Sequence, residues 1–109
     1  MTNTARATNA VVLSLREPGE IDPSVVLTGP LRRISRVHLE PGESARITAD
    51  GAEFTLFVLD GSGTAANTST TVPLSYGVSV TVPLHVDVLI TASEPGLAYF
   101  LAELAVDPA

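Results

Sequence analysis

Apolar and polar residues alternate with a period of two over several short stretches of this chain. In VSVTV (78–82), Val78, Val80 and Val82 share one face, and Ser79 and Thr81 the other. In VDVLIT (86–91), Val86, Val88 and Ile90 oppose Asp87, Leu89 and Thr91. In YFLAEL (99–104), Phe100, Ala102 and Leu104 oppose Tyr99, Leu101 and Glu103. Period two marks a strand with one buried side. The spacing of three and four that a helix needs is almost absent. Further strands are expected at VVLSL (11–15), SVVLT (24–28), LRRISRVHL (31–39) and in the apolar part of GAEFTLFVLDGSG (51–63). REPGEIDP (16–23) reads as a loop, and GP (29–30), EPGE (40–43), NTST (67–70) and PLH (83–85) as turns. The pattern predicts an all-β sandwich or barrel. With no repeat and no linker, residues 11–109 read as a single domain behind a flexible terminus, 1–10.

The same phase assigns an interior. Leu31, Arg33, Ser35, Val37 and Leu39 point inward from the third strand, followed by Phe54, Leu56 and Val58, then Val86, Val88 and Ile90, and finally Phe100, Ala102 and Leu104. Phe57, Leu59, Leu89 and Leu101 fall in the opposite phase. Four such residues on neighbouring strands make an apolar outer patch, which either joins two copies in a homodimer or is covered by the chain's own N-terminal strand.

Composition narrows the chemistry. The 109 residues fit one domain with one core, and 45% hydrophobic against 17% charged residues excludes a disordered chain. No apolar run reaches the roughly 18 residues of a membrane span, and MTNTARATNA lacks a secretory apolar block. A cytoplasmic protein without a membrane partner is expected. There is no cysteine, so thiolate sites are excluded, and no lysine, so Schiff-base chemistry is too. Two histidines, His38 and His85, cannot build a His-rich metal site within one chain. A net charge of −6 argues against nucleic acid as partner. The local cluster Arg32, Arg33 and Arg36 reads as a solvated strand edge.

Pro41-Gly42, then FVLDGSG (57–63), then Gly77 with Pro83 six residues later resemble the cupin superfamily over roughly residues 31–104. Its two motifs run G-x5-H-x-H-x3,4-E-x6-G and G-x5-P-x-G-x2-H-x3-N. The resemblance implies a jelly-roll β-barrel. It also locates the places where metal ligands stand. Counting back from Gly61, the glutamate position holds Phe54. With the shorter spacer, which also matches Gly42 to the opening glycine and is preferred, the histidine positions hold Thr48 and Asp50. With the longer spacer they hold Ile47 and Ala49. In the second motif the second glycine position holds His85, the histidine Val88 and the asparagine Ala92. A first-row metal needs three or four converging donors, so neither a metal nor a cofactor is expected.

The function implied is that of a metal-independent cupin-like protein holding a small apolar or amphipathic molecule in the barrel. Ser35, Val37, Thr48, Phe54, Leu56, Val86, Val88, Phe100 and Ala102 would line the site. Asp50 is the candidate catalytic residue: in an apolar pocket its carboxyl would serve as general acid or base for an isomerisation or cyclisation. The competing reading puts Asp50 in a solvated Asp-Gly turn. His38 is expected outward and His85 at an exposed turn, and Tyr76 either caps a barrel end or meets a ligand at the mouth. The alternative function is a structural or interaction module with a filled barrel, acting through dimerisation.

Overall fold

The computed structural model of the chain describes residues 17–22 and 29–106. Among these described residues seven strands follow one another: β1 (Gly19–Ile21), β2 (Leu31–Leu39), β3 (Ser44–Thr48), β4 (Ala52–Ala66), β5 (Thr71–Leu74), β6 (Ser79–Val82) and β7 (Asp87–Ala105). The strands expected at 11–15 and 24–28, and the terminus 1–10, lie outside the described residues. β2 has the expected bounds. β1 sits in a stretch read as a loop; three residues are too short for alternation to show. β3 and β5 are additional to the expected strands.

The runs at 86–91 and 99–104 are two halves of one 19-residue strand, β7, and β4, with 15 residues, is the next longest. Each crosses from one layer to the other. The first half of β4 and the second half of β7 pair together, with β6 outside β4 and β2 then β1 outside β7. The second half of β4 and the first half of β7 pair again, flanked by β5 and β3. The strands thus form one open antiparallel sheet folded over on itself into two facing layers.

The fold line runs through Gly61, Gly63 and Gly96. The pairing register between β4 and β7 shifts on both sides of Gly61, as bulges do where strands turn a corner. Gly61 has φ +85, and a Cβ there would overlap the carbonyl oxygen of Gly96; a Cβ on Gly63 would overlap that of Thr91. The loop between β2 and β3 is latched to the corner by Gly42 N–H donating to Ala92 O and Ala92 N–H to Glu43 O, both at 2.9 Å.

The corner inverts the side-chain phase. Val88, Ile90 and Ala92 are buried before it, Leu97 and Tyr99 after it. On the larger layer, Val37–Tyr99–Val58 and Ser35–Leu101–Leu56 are inner rows, and Arg36–Phe100–Phe57 and Ile34–Ala102–Thr55 outer rows. The expected inward placement of Phe100, Ala102 and Leu104 is therefore corrected: they face outward, with Leu31 opposite Leu104, while Leu101 packs against the core. A one-residue shift moves every following side chain to the other face. The four-residue outer patch dissolves with it. Phe57 stays outside, Leu89 lies on the outer face of the other layer beside Arg46 and Asp87, and Leu59 is at the register shift.

Between the layers, Leu39, Ile47, Ala49, Leu56, Val58, Ala65, Leu74, Val82, Val88, Ile90, Ala92, Leu97 and Tyr99 form one cluster. Burial raises the Tyr99 hydroxyl above its usual pKa of 10.0. An unfolded tyrosine loses its proton near pH 10, whereas the folded one still holds it. The contribution is present below that pH and is lost as pH rises through the folded value. Urea unfolding between about pH 9 and 11 should therefore show stability falling more steeply in the wild type than in Tyr99→Phe. Equal slopes would mean a solvated hydroxyl.

Candidate functional site

The centre is built from β3, the 49–51 turn, the start of β4, and β7. Ala49 N–H donates to Val86 O at 3.0 Å, and His85 N–H donates to Ala49 O at 2.8 Å. These bonds continue the β3–β7 pairing, in which Ile47 lies opposite Val88. Ile47 and Ala49 are buried, while Thr48 and Asp50 are exposed. The longer-spacer positions thus face inward, which corrects the preferred register. Thr48 donates its hydroxyl to Asp87 at 3.1 Å, and Arg46 holds the same carboxylate at 2.8 Å. Together they form a polar ladder on the outer face. Asp50 belongs to the turn before Gly51, whose φ is +79. It is exposed and turned away from the apolar centre, so it does not meet a molecule held there.

The residues facing the centre are then Ile47, Ala49, Phe54 and Val88, with Val86 packed beside them. Hydrocarbon side chains offer no lone pairs to a cation. The donor set does not fit the metal of the resemblance. Among the described residues no group of three His, Cys, Asp or Glu side chains could hold one. His38 is exposed and meets Glu40 at 2.9 Å. His85 is exposed in a turn at φ 73.

Of the expected lining residues, Ser35, Val37, Phe54, Leu56, Val86 and Val88 share the interior, and Leu56 and Val88 are core. Phe100 and Ala102 instead line a groove of about 430 Å³ on the outer face of the larger layer. Ile21, Leu31, Ile34 and Phe57 complete its apolar wall. Phe57 is 39% exposed and meets Tyr76 edge-to-face, with ring centroids 6.3 Å apart. The Arg36 guanidinium sits 6.0 Å above the Phe100 ring. Sequence reasoning missed Ile21, Leu31 and Ile34 as outer residues. The available signal was that both alternate sets between 97 and 104 are apolar, as a strand with two occupied faces requires.

No helix among the described residues is long and apolar enough to cross a membrane. No family model and no curated protein matches the sequence. Solved structures do resemble the fold. A cupin protein from Bacteroides fragilis superposes with TM-score 0.71 at 16% identity, covering 92% of this chain and 86% of that one. A predicted oxalate decarboxylase from Thermotoga maritima gives 0.65 at 19% identity, over 71% and 69% of the two chains. A protein of unknown function from Rhizobium leguminosarum gives 0.62 at 23% identity, over 84% and 86%. Likeness at such identities carries the architecture and leaves the activity to be argued from the site.

Proposed function

We propose, from the premise that this chain has the cupin fold, that it serves as an interaction module, pairing with a second copy through the outer face of its larger layer. The observation that carries this reading is the apolar groove beside the exposed Phe57 and Tyr76. A raised aromatic next to a groove on one face is self-complementary: under a two-fold axis each copy's aromatic can enter the other's groove. Aromatic anchors in a desolvated pocket dominate binding energy at such contacts. Charge permits it as well. In an acidic chain, the outer rows carry few carboxylates. Glu53 accepts the Leu84 N–H at 3.0 Å and Asp60 the Gly61 N–H at 2.9 Å. Arg36 and His38 stand on the same face.

The interior supports the non-catalytic half of the reading. A molecule held at the barrel centre would have to share space with a core that meets across the two layers. An isomerase or cyclase would also need a general acid or base there, and among the described residues the central cluster has one titratable side chain, Tyr99, whose hydroxyl burial keeps protonated.

Sedimentation velocity is expected to give a mass about twice 11.3 kDa at micromolar concentration. Phe100→Glu should return the protein to a monomer with an unchanged circular dichroism spectrum, since Phe100 is outside the core. A wild-type protein that stays monomeric at about 100 μM, a concentration weak pairs still populate, would defeat the proposal.

A further inference from the structure

The inner face of β2 opens near β1 into a cleft of about 410 Å³, walled in part by Glu20, Ser35, Val37 and Leu101. Glu20 pairs with Ser35, and Ser35 with Leu101, so the three share one face. Ser35 is only 9% exposed and is the buried polar side chain of the described residues. Its hydroxyl has no hydrogen-bond partner among them. Buried hydroxyls in folded proteins are nearly always paired. Val37 and Leu101 pack against the core and form an apolar wall. Glu20 meets Arg33 at 3.3 Å, and Arg36 and His38 border the cleft from the outer rows of β2, where Arg36 lies over the Phe100 ring and His38 meets Glu40.

We infer that this cleft binds a small amphipathic molecule with a neutral hydrogen-bonding head, such as an alcohol or an amide. The head pairs with the Ser35 hydroxyl, which can both donate and accept. The apolar body lies along Val37 and Leu101. A charged head gains little, because Glu20 is already met by Arg33, the Arg36 and His38 side chains that border the cleft are engaged by the Phe100 ring and Glu40, and desolvating an ion is costly. The residues that would hold the molecule, Ser35, Val37 and Leu101, lie on the opposite face of the larger layer from Phe57 and Phe100 of the groove proposed to join two copies, so the two proposals stand or fall separately.

The test is a nitrogen-15 NMR titration with 1-hexanol, using hexanoate and hexylammonium as charged comparators. Saturable shifts are expected at Gly19, Ser35, Val37 and Leu101, with hexanol binding more tightly than either ion. Ser35→Ala should weaken hexanol about five-fold, the usual worth of one hydrogen bond, and Ser35→Leu should abolish binding by filling the cleft. Ser35→Ala removes only an oxygen and keeps the test valid if the leucine variant fails to fold. Four results would each overturn the inference. They are shifts confined to Ile34, Phe57 and Phe100, no saturable shift at all (an ordered water as sole occupant), an ion that binds as well as hexanol, and an unchanged affinity in Ser35→Ala.

Discussion

Gly61→Ala is expected to abolish folding or to lower stability by about 4 kcal/mol or more, the range reserved for substitutions that break a backbone contact. Two costs add. The residue holds φ +85, where an L side chain costs about 1–2 kcal/mol. The new Cβ would also overlap the Gly96 carbonyl oxygen and crowd the Leu97 Cα. Both neighbours are backbone, so no rotamer change relieves the clash. The corner must open, and both layers hinge on it. Gly42→Ala is the control. Gly42 has nearly the same conformation, φ +88, but nothing lies within 4 Å of an added Cβ. It should lose only the conformational part, about 1 kcal/mol. Urea unfolding of both variants checks the comparison. Similar losses would mean that the close approach at the corner contributes nothing. Domain stabilities of about 5–15 kcal/mol make the larger loss visible as a low yield of folded protein.

Ile90→Ala is expected to cost about 3–4 kcal/mol, within the range for removing a fully buried aliphatic side chain. Ile90 is 0% exposed. Its cross-strand partners are Ala45 and Ala65, too small to close over the space left behind. The cavity term is therefore near its maximum. Denaturant unfolding measures the loss, and xenon binding to the variant would report the new void. A loss near 1 kcal/mol would mean that Ile90 borders an existing hollow, and the filled-core argument for a non-catalytic module would fail.

Much of the architecture follows from local chemistry. LRRISRVHL extends as β2 from end to end because its bounds are set by Gly29-Pro30 and Pro41-Gly42. Asn67 accepts the N–H groups of Ser69 and Thr70, the short-range turn chemistry that NTST announces. The cupin resemblance rested on glycines and prolines. These are the residues that the corner and the turns require. That Phe54 and Val88 put hydrocarbon at the centre was also legible, since neither assignment depends on the length of the first motif's spacer.

Side-chain direction beyond the corner was not legible. Period two can be extrapolated along a strand only while no residue is inserted. The shifts around Gly61 and the bend at 93–96 broke that count, sending Phe100 and Ala102 outward and Tyr99 and Leu101 inward. The choice between Thr48 with Asp50 and Ile47 with Ala49 was settled in the same way, by hydrogen bonds between Ala49 and the 85–86 segment. Sequence alone therefore determined that this is a β protein with an apolar, donor-poor interior, because those properties depend on residue type. Only the tertiary structure decided which apolar residues fill the centre and which make an outer groove. Facing is a property of strand pairing over long separations, and a single bulge reverses it.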